Sequence, residues 1–149
     1  MITVVIYCLD QFVVGRLSRE MTPNLAKLYE VNEDEIIFVA PENMVFHKGV
    51  EQTSWNIIIH VHAPKKVSVL QDQVATLILE SIGDVAINKI LEFYYYSEDN
   101  RYCKFNTAYP RFIASDNLVD IADEDYEDKE EGEGDDDIFT GDIFRDFHG

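Results

Sequence analysis

Cysteine is scarce in this chain of 149 residues: only Cys8 and Cys103 occur. One potential pair in a chain of this length is not a disulfide framework. A cross-linked secreted scaffold is therefore excluded, and a reducing, cytoplasmic setting is expected. Cys8 lies in an apolar run, where a thiol acts as a small hydrophobe. Positive charge is scarce as well. Twelve Lys and Arg stand against 29 Asp and Glu, a formal net charge of −17. No basic face is left to neutralise phosphates, which argues against nucleic acid as a partner and against anionic membrane surfaces. Long apolar runs are missing too. The stretch Met1 to Tyr7 is apolar, but it is too short to span a bilayer. It also has no preceding positive residues and no small-residue cleavage site. It reads as a first strand.

The charge that is present is unevenly spread. Residues 1–115 carry 14 acidic and 10 basic residues, while residues 116–149 carry 15 acidic and 2 basic. Most aliphatic and aromatic side chains sit in the first part. The expected organisation is one folded domain over 1–115 and an acidic, mostly disordered tail over 116–149, kept open by self-repulsion and lack of apolar residues.

Within the domain, Ile2 to Leu9 is a β-branched run, apolar on both faces, as in a central strand. Asp10 interrupts it. Leu17, Met21, Leu25 and Leu28 then mark a helical stripe within Phe12 to Tyr29. Pro23 falls inside that stripe without breaking its phase, so one bent helix is expected. Glu35 to Ala40 reads as a second strand, Met44 to Phe46 as a short one, and His47-Lys48-Gly49 as a turn. Trp55 to His62 is a long strand ended by Pro64. Val67 to Ile82 is a second amphipathic helix, stopped by Gly83. Ile87 to Tyr96 is a last strand, with Tyr102 to Phe105 pairing back as a hairpin arm. The order is β-α-β-β-α-β, an α+β fold with two helices on one face of a four-stranded sheet. The other face is too apolar to meet water and calls for a cover.

Several segments carry a family resemblance. Glu35-Ile36-Ile37-Phe38-Val39-Ala40-Pro41-Glu42-Asn43-Met44-Val45-Phe46-His47-Lys48-Gly49 resembles the strand, bend and glycine turn of the macrophage migration inhibitory factor and tautomerase superfamily. Trp55 to His62, the helix with Gln71-Asp72-Gln73-Val74-Ala75 and the Leu91-Glu92-Phe93-Tyr94-Tyr95 strand follow in the same order. The likeness runs from Met1 to about Phe112, and is similar above all to an uncharacterised bacterial tautomerase-like group. It implies a homotrimer whose sheets line a central barrel. Tautomerases of this superfamily use an N-terminal proline as general base. Here the second residue is Ile2, the expected terminus is a primary amine, and retention of Met1 is expected. The family's pocket lysine has no match, and the acidic stretch Val31 to Glu35 would repel an anionic keto acid. The activity is therefore not carried over, and no cofactor is expected.

The resemblance places His60 at a pocket position. His60 and His62 share a strand face. They form either a half-buried or interface pair, the favoured reading, or part of a metal site completed by tail carboxylates. Glu92, Tyr102 and Lys104 lie on segments able to line the same pocket. In the tail, Asp135 and Asp137 have the spacing of a calcium loop, but Phe139 and Thr140 replace the needed ligand and turn glycine. Asp137-Ile138-Phe139 recurs as Asp142-Ile143-Phe144, followed by Phe147. Ile138, Phe139, Ile143, Phe144 and Phe147 are thus candidate anchors for docking a protein partner.

Overall fold

The structure, a computed structural model, describes residues 1–114. The tail and its five apolar anchors lie outside the described residues. Strand β1 runs over Ile2–Tyr7, helix α1 over Gln11–Tyr29 and β2 over Ile36–Val39. Two short strands, β3 (Phe46–His47) and β4 (Val50–Glu51), form a separate hairpin. Strand β5 (Asn56–Pro64), helix α2 (Gln71–Ile82) and β6 (Asn88–Tyr96) complete the order.

Four strands make one sheet in the order β2-β1-β5-β6. β1 and β2 are parallel across α1, β5 and β6 are parallel across α2, and β1 runs antiparallel to β5 in the middle. The expected fold is therefore observed, as two β-α-β units joined edge to edge. Period-2 alternation divides the sheet into two faces. Ile2, Val4 and Ile6 of β1, with Ile57, Ile59, Val61 and Ala63 of β5, join the core with the helix residues. The opposite, open face carries Thr3, Val5 and Tyr7 of β1, Ile58, His60 and His62 of β5, and Ile90, Glu92, Tyr94 and Tyr96 of β6. Val5 is buried there but lies outside the core cluster, and Ile90 is half exposed.

Helix α1 buries Val14, Leu17, Met21, Leu25, Ala26 and Tyr29; of the stripe that its spacing announces, Leu28 is only partly buried. It is one helix through the solvent-exposed Pro23. Asp10, which in the sequence looks like an interruption, is its N-cap: the carboxylate accepts from the amides of Phe12 at 2.8 Å and Val13 at 3.3 Å. The preceding strand stops at Tyr7, not Leu9, because Cys8 turns the chain with φ +66°. Glu30 ends the helix in the left-handed conformation. Both cysteines are free, Cys8 buried and Cys103 exposed.

Three further boundaries differ from the sequence expectation. The short strand is Phe46–His47, paired with Val50–Glu51 around Lys48 and Gly49, both at positive φ, the twist that tight hairpins require. β5 continues through Pro64, which stands opposite Tyr96. The second helix opens with a 3₁₀ stretch, Lys65–Leu70, before α2 proper. Gly83 at φ +53° ends α2, and Lys89 Nζ donates to the carbonyls of Gly83 at 2.7 Å and Ala86 at 3.2 Å. The hairpin arm expected at Tyr102 to Phe105 is absent among the described residues: the segment from Arg101 to Lys104 is coil. No strand among the described residues pairs with it.

Candidate functional site

Two groups of side chains stand out on the sheet. The first surrounds the chain's first residue. β1 and β2 start side by side, Ile2 opposite Ile36. Glu35 therefore stands beside Met1, and its Oε2 lies 2.8 Å from the Met1 amino nitrogen. Arg111 Nη1 is 3.6 Å from the other carboxylate oxygen. The hydrogen bond from the amine holds the Glu35 carboxyl below its usual range; partial burial opposes this, and the charges of the amine and Arg111 add to it. The Met1 carbonyl accepts from the Tyr96 hydroxyl and, at 3.2 Å, from Arg101 Nη1. The Arg101 guanidinium lies 4.6 Å above the Tyr96 ring, and that of Arg111 lies 4.4 Å above Phe105. Together with Pro64 and Cys103 these residues line an open cavity of about 310 Å³.

The second group lies on the open face. β5 and β6 place His60 opposite Glu92 and His62 opposite Tyr94. His60 Nε2 is 3.3 Å from Glu92 Oε2, which also accepts from the Tyr94 hydroxyl at 2.8 Å. The Tyr94 ring stacks on His62 with centroids 5.1 Å apart, and Tyr7 meets His60 edge-on at 4.9 Å. The hydrogen bond to Glu92, aided by burial and the Glu92 charge, raises the Tyr94 phenol. Burial, then the charges of His60 and Arg101, push His62 below its ordinary value.

The structure thus brings together three of the residues singled out in the sequence, His60, His62 and Glu92. It leaves Tyr102 and Lys104 on the coil after β6, both exposed, with no hydrogen bond or ion pair to the cluster among the described residues. No group of three or more His, Cys, Asp or Glu is placed to hold a metal ion among the described residues. No helix among them is long and apolar enough to cross a membrane. Glu35, Arg101 and Arg111 were not legible as site residues. Glu35 in particular differs from the repelling carboxylate expected of the acidic stretch, since two cations neutralise it.

No family model matches the chain, and no curated protein matches it in sequence. Solved structures do match its fold. A domain of unknown function (DUF1904) from Sebaldella termitidis is 19% identical with a TM-score of 0.63, covering 68% of this chain and 94% of its own. A macrophage migration inhibitory factor-like protein from Entamoeba histolytica is 11% identical with a TM-score of 0.55, over 69% of this chain and 95% of its own. An enzyme, malonate semialdehyde decarboxylase, is 7% identical with a TM-score of 0.51, over 71% of this chain and 93% of its own. Proteins of unknown function and enzymes thus share this architecture, and the fold of this chain is that of macrophage migration inhibitory factor and the tautomerases.

Proposed function

We infer that this chain is a tautomerase-fold protein that does not run the proline-based proton transfer, and that it acts as a homotrimer whose acidic tails dock a protein partner. One observation carries the first part. The Met1 amine, which occupies the place where a general base would be needed, donates to Glu35 at 2.8 Å. Glu35 holds the amine in a charge-assisted contact, and an amine turned to a substrate would have to leave it. Ile2 at the second position supplies no secondary amine. The open sheet face supports assembly: Ile58, Ile90, Tyr7, Tyr94 and Tyr96 share it, and Glu92 is its one carboxylate. The tail's repeated Ile-Phe pairs within an acidic stretch support docking.

The test is tautomerisation of phenylpyruvate and hydroxyphenylpyruvate by the pure protein, with light scattering on the same sample. Turnover near background and the mass of three chains are expected. Robust turnover that disappears when Ile2 is altered would overturn the inference. A second reading, small-molecule binding with altered chemistry, is favoured by the cavity at Met1. Its volume, about 310 Å³, reaches the lower end of ligand pockets, and two guanidiniums border it.

A further inference from the structure

The open face is nearly uncharged, and the exceptions to that are grouped. Around His62 stand His60 on its own strand, Tyr94 and Glu92 on β6, Thr3 on β1, and Arg101 on the coil that follows β6. Glu92 is the one acid among them, and it already accepts from Tyr94 and faces His60 at 3.3 Å. His60 thus has a carboxylate beside it. His62 has none among the described residues: its ring is stacked on Tyr94 at 5.1 Å, and the charges that bear on it are those of His60 and Arg101. The two histidines, with centroids 6.2 Å apart, thus stand in different surroundings. A proton on His62 leaves a cation with no carboxylate beside it among the described residues, which is costly to bury between packed sheets.

We propose that assembly through the open face is switched by pH, protonation of His62 placing an unpaired cation in the interface and releasing the subunits. This rests on the reading that copies of the chain pack through that face. Histidine is the side chain whose charge changes between pH 5 and 8. The sign follows from which form is favoured. Burial and like charge favour neutral His62 in the folded chain, and enclosure by a second copy adds to both. The assembled state then binds fewer protons than free subunits, so it is fully stable above the free subunit's His62 value, itself held below the ordinary value of about 6.5, and weakens as pH falls through it. Isolated carboxylates titrate near about pH 4, below this window.

The experiment is sedimentation velocity on the full chain at pH 8.0 and pH 5.5, at one fixed salt and protein concentration. The wild type should be assembled at pH 8.0 and monomeric at pH 5.5. His62→Asn and His62→Gln, which keep the ring's polar rim but cannot charge, should stay assembled at both; far-ultraviolet circular dichroism verifies that each is folded. His47 and His148 remain in both variants, so a general histidine effect would still dissociate them. Wild type assembled at both pH values overturns the switch and leaves the assembly reading standing. A monomer at pH 8.0 overturns the assembly reading itself. Dissociation of both folded variants at pH 5.5 overturns the assignment to His62.

Discussion

Replacing Glu35 with Gln removes the carboxylate from the Met1 amine and Arg111 while keeping the side chain's size. Two terms set the cost. The 2.8 Å contact with the amine is a charge-assisted hydrogen bond, whereas Arg111 at 3.6 Å contributes charge more than a bond. The Glu35 side chain is 39% exposed, so solvent screens both, and the range for partly exposed pairs applies, about 0.5–1 kcal/mol at pH 7. For a folded unit of this size that is a drop of about 2–5 °C in melting temperature. The effect has a direction in pH. The folded-state carboxyl is held below its ordinary value, so its contribution is present above the unfolded glutamate's value of about 4.3 and is lost as pH falls through the lower folded value. Thermal melts of both proteins at one concentration, from pH 7 to pH 3, should show a constant gap down to about pH 5 that closes below about pH 4. Equal melting temperatures at pH 7 would refute the ion pair. A gap unchanged at pH 3 would show that Glu35 acts through packing.

Ile59 lies at the centre of β5, fully buried between the sheet and helices; Ile59→Ala should cost about 2–5 kcal/mol, read by urea unfolding, and a loss under about 1 kcal/mol would contradict its placement in the core. In the tail, changing Phe139 and Phe144 together to Ser should leave the melting temperature of the domain unchanged and remove capture of a purified partner. Equal capture by the double variant would make the tail a solubiliser only.

The helices were legible because their signal is local. Leu17, Met21 and Leu25 repeat at helical spacing, and every one of them is buried. The central strands were legible because β-branched runs buried on one face and half-covered on the other leave little else for Ile57-Ile58-Ile59 to be. Boundaries were harder, since they depend on single backbone conformations. Nothing in the letters around Cys8 announces its φ of +66°, and without that turn Asp10 looks like a break and not a cap. Among site residues, the His60 and His62 pair follows from period 2 alone. Glu92 becomes their neighbour only through the parallel register of β5 and β6. The Met1 pocket was beyond reach for the same reason: Glu35, Arg101 and Arg111 are far apart in the chain, and only the fold brings Glu35 and Arg101 to Met1 and Arg111 to Glu35.

The two groups of the site are not independent, because β6 and the coil after it serve both. Glu92, Tyr94 and Tyr96 alternate onto one face, so the open face runs without a break from the His60 pair to the hydroxyl that Tyr96 donates to Met1. Arg101 sits at the junction. It donates to the Met1 carbonyl, lies over the Tyr96 ring, and its charge adds to the forces keeping His62 neutral. A guanidinium in that position ties the chain's first residue to the face on which assembly is proposed. Whatever draws Arg101 toward the cavity, an anion for instance, offsets its charge as seen by His62 and makes that ring easier to protonate. By reciprocity of linked equilibria, protonating His62 then favours the anion by the same factor. Through Arg101, charge at the first residue and charge on the open face are thus linked.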